Sequence, residues 1–246
     1  MKNQAGWQPS KFELHRGRWR GSRDARELGV GSRLMCDLVA AQYQEHLPGH
    51  ARGRLLDLGC GKVPLYGAYA PHVFEVTCVD WAPGEHIDWH CDLSQPLPFE
   101  ADRFDTIILS DVLEHVPEPA LLWREMARVL APGGKVIMNV PFYYSVHAHP
   151  HDYYRYTNFA LERFVQLNGL QLVRLRAFGG ISEILADLLA KAFSKLALIG
   201  PPIAMAVQAI VGAFGRTRVG SRVMNVSSRH FPLGYFLIAQ RVVIEA

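Results

Sequence analysis

The chain has 246 residues, of which 49% are hydrophobic and 20% are charged, and its formal net charge is +3. This length fits one α/β domain with additional segments, and the composition permits a large core. The small positive charge gives no indication of a nucleic-acid partner.

Four cysteines are widely spaced and include no C-x-x-C pair: Cys36, Cys60, Cys78 and Cys91. We interpret them as reduced thiols and not as a disulfide framework or a zinc site. The first 20 residues lack the apolar stretch of a secretory signal peptide. We therefore expect a cytoplasmic protein, peripheral on the inner face of the membrane if it binds a membrane at all.

The first segment, residues 1–29, is predicted to be a basic, poorly ordered arm. Residues 11–33 contain seven Lys or Arg and three acidic residues. Such an arm is either a solvated tail or a contact with a phosphate-bearing substrate or an anionic lipid surface. After it, Leu34, Met35, Leu38 and Val39 have the spacing of an amphipathic helix over residues 30–47.

Residues 30–178 alternate between strand and helix patterns and are predicted to form the core domain. Helices are predicted near 62–70, 118–131 and 157–168. Strands are predicted near 53–58, 74–80, 87–91, 104–110, 135–141, 170–177 and 234–243, the last within a final segment, 231–246. This alternation predicts a doubly wound α/β fold with a mostly parallel, seven-stranded sheet and helices on both faces.

An apolar helical insertion, residues 179–230, is predicted before the last strand. One stripe of α-helical spacing contains Ile181, Ile184, Leu185, Leu188, Leu189, Phe193 and Leu196, mostly opposite Glu183, Asp187, Lys191 and Lys195. Residues 196–215 carry no charge, but the glycine and prolines at 200–202 leave too few apolar residues for a membrane span. The segment is either a cap buried on the domain or in a homodimer, a membrane-surface hairpin, or a true span. We expect residues 181–215 to partition to vesicles.

One motif carries most of the functional information. The run Leu55-Leu56-Asp57-Leu58-Gly59-Cys60-Gly61 ends an apolar strand in an acid and two glycines, and Asp80 closes the next strand 23 positions later. This spacing is typical of a nucleoside-binding unit, in which the second acid accepts hydrogen bonds from ribose hydroxyls. Pro64 stands where a dinucleotide fingerprint has its third glycine, and Asp57 suits a cation such as an amino group.

The pattern resembles the first motif of class I S-adenosylmethionine (SAM)-dependent methyltransferases of the type 11 kind. The resemblance continues through Asp80, Asp92-Leu93, residues 104–116 and residues 130–136, although Val63 stands where many members have a glycine. It implies a Rossmann-like sheet with an antiparallel last strand, and SAM as cofactor.

The same resemblance assigns roles around the cofactor. It implies that Gly59, Cys60 and Gly61 lie against the methionine part, with Asp57 binding its amino group. It further implies contacts to the ribose from Asp80 and to the adenine from Trp81, Asp92 and Leu93, with Ser110 also lining the cofactor.

A second segment, residues 141–157, follows the fifth strand and is rich in His and Tyr. It resembles the P-H-D-Y-Y-R-[YF]-T loop of bacterial methyltransferases linked to surface-polysaccharide synthesis. Because neutral histidine accepts a proton near neutrality, His147, His149 and His151 are candidate bases.

The other residues of this segment allow more than one role. Tyr153, Tyr154 and Arg155 are candidate substrate contacts, although Arg155 alternatively pairs with Asp152. A metal bound by His147, His149, His151 and Asp152 is an alternative, as is a lid held by aromatic packing. His115 is interpreted as structural or as a support behind the site, and not as catalytic.

Three functions remain open. The first is methylation of a hydroxyl on a sugar or glycan intermediate, either free or lipid-linked. The second is methylation of a small aromatic or isoprenoid, quinone-type acceptor. The third is a non-catalytic SAM-binding protein associated with a membrane. Methylation of nucleic acid is not expected, because the basic residues cluster in the arm and no motif for a flipped base is present.

Overall fold

The structure, a computed structural model, describes residues 1–243. Its strands are β1 (Phe12–His15), β2 (Arg18–Gly21), β3 (Arg54–Leu58), β4 (Glu75–Asp80), β5 (Trp89–His90), β6 (Phe104–Ser110), β7 (Leu130–Pro141), β8 (Leu170–Phe178) and β9 (Gly234–Arg241). Its α-helices are α1 (Arg33–His50), α2 (Tyr66–Tyr69), α3 (Pro119–Val129), α4 (Asn158–Leu167), α5 (Ile181–Ser194), α6 (Gly200–Gly215) and α7 (Arg218–Ser227).

The central sheet has seven strands in the order β5-β4-β3-β6-β7-β9-β8. The five strands from β3 to β7 pair in parallel, whereas β9 is antiparallel to both β7 and β8. The predicted doubly wound fold with an antiparallel last strand is therefore confirmed. Strand order reverses between β3 and β6, and the carboxyl ends of strands at such a switch point form a crevice.

Alternation along the central strands explains why both faces of the sheet are covered. Leu56 and Ile107 point into one core cluster, and their neighbours Leu55 and Ile108 point into the other. All four side chains are fully buried. An apolar run without polar alternation is what a strand buried on both faces requires.

The prediction of a poorly ordered arm over residues 1–29 is wrong, because the segment folds onto the domain. Strands β1 and β2 form an antiparallel hairpin, and Phe12 is fully buried. Asp37 on α1 binds the Arg23 guanidinium at 2.8 Å, and the Trp19 amide donates to Gln44 at 2.7 Å. Arg23 thus has a partner outside the segment, whereas Arg20 and Arg26 pair with acids within it.

Two element boundaries differ from prediction. The helix expected over 62–70 is reduced to α2 because Val63 has a left-handed backbone (φ 52°), a conformation that a β-branched residue rarely adopts. Strand β7 begins at Leu130 and not near 135, since Leu130 pairs with Phe104 before a register shift. Residues 244–246, the end of the predicted segment 231–246, lie outside the described residues.

The insertion at 179–230 contains α5, α6 and α7. In the described part of the chain, no helix combines the length and the apolar character needed to cross a bilayer. The three helices cover one flank of the domain, where α5 and α6 pack on each other and on α1.

Candidate functional site

A cavity of about 400 Å³ lies at the carboxyl ends of the parallel strands. Each of the five strands supplies lining residues just beyond its end: Gly59 after β3, Asp80 and Trp81 at the end of β4, Asp92 and Leu93 after β5, Asp111 and Val112 after β6, and Ala148, His151 and Tyr153 after β7. The sheet therefore brings together motifs that are far apart in the sequence.

Glycine is required at position 59 by both backbone conformation and space. Gly59 has φ 66°, and a Cβ placed there would lie 2.6 Å from Val112 Cγ2. The turn is held by the Gly59 amide, which donates to the Val79 carbonyl at 2.8 Å. Bare backbone thus forms the floor of the cavity, where a bound molecule can approach closely.

Asp80 connects the glycine turn to the next strand. Its Oδ2 accepts from the Gly61 amide at 2.8 Å, and its Oδ1 accepts from the Ala82 amide at 2.9 Å. A carboxylate offers about four lone-pair sites, so two backbone contacts leave capacity for ribose hydroxyls. Farther along the wall, Asp92 Oδ1 accepts from the Ser94 amide at 2.8 Å.

Asp57 lies behind the cavity wall and not on its surface. Its Oδ2 accepts from the Tyr69 hydroxyl at 2.9 Å, and the residue is buried. Burial raises the pKa of Asp57 to about 7, against the opposing effect of the Tyr69 hydrogen bond.

The nine predicted cofactor residues therefore divide into two groups. Five line the cavity: Gly59, Asp80, Trp81, Asp92 and Leu93. Four do not: Asp57, Cys60, Gly61 and Ser110. Of these, Cys60 is buried, and the Ser110 hydroxyl donates to Asn139 Oδ1 at 2.8 Å.

His151 also lines the cavity and lies beside Trp81. Its ring packs edge-on against Trp81, with centroids 5.0 Å apart, and its Nδ1 is 3.1 Å from the Tyr153 hydroxyl. His151 and Tyr153 are thus the candidate base and substrate contact that the structure places in the cavity. His149 is exposed and lies outside the cavity lining.

His115 also lines the cavity, although the sequence suggested only a structural or supporting role. Its Nδ1 lies 2.6 Å from the His151 carbonyl oxygen. Because a carbonyl only accepts, Nδ1 is the protonated nitrogen and the lone pair of neutral His115 is on Nε2. The contact fixes the backbone of the loop at His151.

The remaining loop residues form a separate network. Arg155 binds Asp152 through two hydrogen bonds of 2.6 and 2.8 Å, and the Tyr154 hydroxyl donates to the Pro117 carbonyl at 3.0 Å. Asp152 also accepts from the His147 amide at 2.9 Å. The Arg155 guanidinium holds the pKa of Asp152 well below its usual range. Of the two roles open to Arg155, the structure forms the ion pair.

His147 lies behind the cavity wall beside His115, with ring centroids 4.7 Å apart. Burial lowers the pKa of His147, and His115 lowers it further. The potential ligand atoms of Glu114, His115 and His147 lie within 4.8 Å of one another. Imidazole and carboxylate together suit Zn²⁺ or a similar ion. Among residues 1–243, this group, and not the four residues considered from sequence, has the spacing of a candidate metal site.

Glu114 is fully buried, and neither carboxyl oxygen has a hydrogen-bond partner within residues 1–243. Burial raises the pKa of Glu114 well above its usual range, and repulsion from Asp111 adds to this effect. A buried carboxyl without a partner is held in its neutral form.

Lys11 and Asp111 are functional candidates that the sequence did not reveal. Lys11 Nζ lies 2.7 Å from Asp111 Oδ2, and Asn139 Nδ2 donates to the other oxygen of Asp111. Burial alone would lower the pKa of Lys11, but the Asp111 carboxylate offsets this and raises it. Asp111 lies within the recognised motif 104–116, whereas nothing local marks Lys11.

Comparison with known proteins identifies the domain. Residues 56–138 match the family described as Methyltransferase domain, type 11. This match over about a third of the chain supports a class I methyltransferase, as the sequence motifs predict. The match agrees with the sequence-based prediction of S-adenosylmethionine as cofactor.

One curated relative is a ubiquinone biosynthesis O-methyltransferase from Xanthomonas euvesicatoria, 33% identical over 103 residues. The match involves 36% of this chain and 43% of the relative, so the chain spans less than half the length of the relative it matches.

Solved structures support the fold of this methyltransferase domain. An S-adenosylmethionine-dependent methyltransferase from Mesorhizobium loti aligns with a TM-score of 0.56 and 16% identity, over 85% of this chain and 100% of the other. A phosphoethanolamine N-methyltransferase from Haemonchus contortus, in complex with S-adenosyl-L-methionine, aligns with a TM-score of 0.53 and 14% identity, over 90% of this chain and 59% of the other.

Proposed function

We propose that the protein is an O-methyltransferase that acts on a hydroxyl of a small aromatic, quinone-type acceptor. The observation that carries this proposal is that five predicted cofactor residues and His151 line one cavity. A methyl donor bound to these residues would thus share one cavity with a candidate base. SAM, when bound, supplies a methyl group on a sulfonium, which is transferred in line to the acceptor oxygen.

The residues present fit this cofactor. The glycine turn at Gly59 leaves backbone bare, and Asp80 and Asp92 offer carboxylate oxygens for ribose hydroxyls and the adenine amino group. Trp81, at the rim, offers an aromatic face. In this assignment Asp57, which lies outside the cavity lining and accepts from Tyr69, contributes no direct contact.

The chain's own part in the reaction is to orient the acceptor and remove its proton. We assign the base to His151, whose ring lies in the cavity wall. His115 is a positioning residue, because it holds the His151 backbone through its Nδ1. A positioned base contributes about 10²–10⁴-fold to such a step.

The aromatic acceptor is favoured by the wall and by the relatives. Val112, Val116, Pro117 and Tyr153 give the acceptor side a mostly apolar surface, which suits a flat ring. The curated relative that matches the core is named for ubiquinone biosynthesis. The glycan hypothesis rests on resemblance of the loop, whose Arg155 is engaged by Asp152.

The test measures methyl transfer from labelled SAM by the full chain. A catechol, a catechol with an isoprenoid tail and a sugar phosphate are offered as acceptors. We expect turnover on the catechols, lowered about 10²–10⁴-fold by His151→Ala, with SAM affinity retained. His149→Ala, an exposed histidine of the same loop, is the matched control and should act as wild type. Turnover on the sugar phosphate alone would contradict the assignment of an aromatic acceptor. Full activity of His151→Ala would contradict the assignment of His151 as the base.

A further inference from the structure

Helix α5 turns its acidic side chains toward the domain and most of its leucines outward, which is the reverse of an ordinary surface helix. Its acids Glu183 and Asp187 are 2% and 1% exposed, whereas Leu185, Leu188 and Leu189 are 55%, 50% and 46% exposed. A helix at a water interface buries its apolar stripe and exposes its charges. The predicted apolar stripe is present, but most of it faces outward.

Both buried acids of α5 have a local partner, although Asp187 Oδ1 has none among residues 1–243. Glu183 Oε2 accepts from the Gly180 amide at 2.9 Å at the start of the helix. Asp187 pairs with Lys191, whose ammonium lies 3.3 Å from the centre of the Tyr144 ring. The inward side of α5 combines these polar contacts with the buried side chains of Ile184, Ala186 and Ala190. Together they fix the rotation of the helix and leave the leucines outside.

Helix α6 repeats this arrangement. Its single polar side chain, Gln208, faces the domain, where Oε1 accepts from the Leu34 amide at 2.7 Å and Nε2 donates to the Val30 carbonyl at 2.8 Å. Large apolar side chains of α6 and of the preceding turn are exposed: Leu196, Leu198, Ile199, Ile203, Met205, Ile210 and Phe214. Two adjacent helices thus present an apolar surface, and such a large patch marks an interaction site.

The neighbouring helix supplies positive charge without compensation. Arg216, Arg218, Arg222 and Arg229 line a shallow depression of about 510 Å³ along α7. No acidic residue occurs between Asp187 and Glu245. Among residues 1–243, none of the salt bridges involves these arginines. Exposed Val219, Val223 and Val226 alternate with them along the helix.

We propose that the outward face of α5 and α6, together with the arginines of α7, docks on the surface of an anionic lipid bilayer. Apolar side chains enter the boundary between headgroups and acyl chains, and arginines bind lipid phosphates. This occupant fits better than a second copy of the chain, because an isologous contact would bring two sets of uncompensated arginines together. The absence of a spanning helix among the described residues agrees with a surface location. The proposal does not depend on the acceptor.

The experiment is flotation of the full chain with two kinds of vesicle. One contains phosphatidylcholine alone, and the other contains phosphatidylcholine with roughly 30–40% phosphatidylglycerol. We expect binding to the anionic vesicles at least about tenfold stronger, weakened as salt is raised from about 0.05 to 0.5 M. Leu185→Glu with Leu189→Glu should abolish flotation. Arg218→Gln with Arg222→Gln should remove the preference for anionic lipid, since each arginine contributes about 1 kcal/mol near such a surface.

The matched control is Phe159→Glu with Leu167→Glu, which places two acids on exposed apolar positions of α4. It should float as wild type does. SAM binding and circular dichroism check that each variant is folded. Wild type that does not float, or that binds both vesicles equally, would overturn the proposal. So would a lipid-independent dimer that the leucine variant converts to a monomer, which would identify a second copy as the occupant.

Discussion

Lys11 Nζ lies 2.7 Å from Asp111 Oδ2, although the two residues are 100 positions apart. One belongs to the N-terminal hairpin segment and the other to the cavity wall. The contact therefore couples the folding of the N-terminal segment onto the domain to the geometry of the cavity wall.

Lys11→Met should destabilise the fold by about 1–3 kcal/mol, because it leaves Asp111 without its charged partner. In a double-mutant cycle with Asp111→Asn, the two changes should be less than additive by about 1 kcal/mol, as measured by urea unfolding. Lys62→Met is the control, since Lys62 pairs with Glu27 but is 71% exposed and should cost less than about 1 kcal/mol. Additive effects of the two substitutions would contradict a direct interaction between Lys11 and Asp111.

Asp57 should make the stability of the apoprotein depend on pH. Its pKa is about 7 in the folded chain and about 3.9 in an unfolded one. Between these values the unfolded carboxyl is ionised while the folded one is protonated, so stability falls as pH rises, by about 1.4 kcal/mol per pH unit.

Asp57→Asn keeps an acceptor for the Tyr69 hydroxyl and removes the titration. Urea unfolding at several values between about pH 5 and pH 7 should therefore show a flatter profile for the variant than for wild type. Parallel profiles for the two proteins would show that Asp57 titrates normally.

Asp80→Ala should weaken SAM binding about tenfold or more, because hydrogen bonds to a charged group contribute about 1.5–3 kcal/mol. Calorimetry on the folded variant measures the change. The control is Asp105→Ala, which removes a β6 carboxylate bound to the Arg54 amide at 2.8 Å and outside the cavity lining. If wild type binds no SAM, or if the two variants lose affinity equally, the cofactor site is assigned wrongly.

The positioning role of His115 can be tested by comparing a substitution that keeps an N–H donor with one that removes it. Asparagine places an N–H donor near the position of Nδ1, so His115→Asn should keep the contact to the His151 carbonyl and most of the turnover. His115→Ala should lower kcat about 10-fold or more, since a loosened base loses orientation. Equal, large losses in both variants would instead indicate that His115 itself moves the proton, and chelator-sensitive activity would implicate the Glu114 group in metal binding.

The sequence predicted the sheet well because runs such as residues 55–58 and 107–109 allow little besides a buried strand. It located much of the cavity for a related reason, since residues following parallel strands meet at one edge. Periodicity also revealed the apolar stripe of α5. It could not tell which side of that helix faces the domain, because the decision depends on partners such as Gly180 and Lys191.

Other features depended on contacts that leave no local pattern. The arm was expected to be disordered because its charges outnumber its apolar residues, and only the fold brings Asp37 and Asp111 to them. The contact of His115 with the His151 carbonyl joins two motifs that are 36 positions apart, and no local sequence pattern indicates it. Such pairings appear only when the chain is folded.

The insertion enters and leaves the domain at a single point. The Leu233 amide donates to the Phe178 carbonyl at 3.1 Å, and Phe178 is paired with Gly234 in the β8–β9 ladder. A two-residue hairpin could join these strands directly. The helices between them therefore lie outside the β8–β9 ladder, although Gln208 anchors α6 on the domain. The outward face of these helices can therefore change in sequence without interrupting the sheet that carries the cavity.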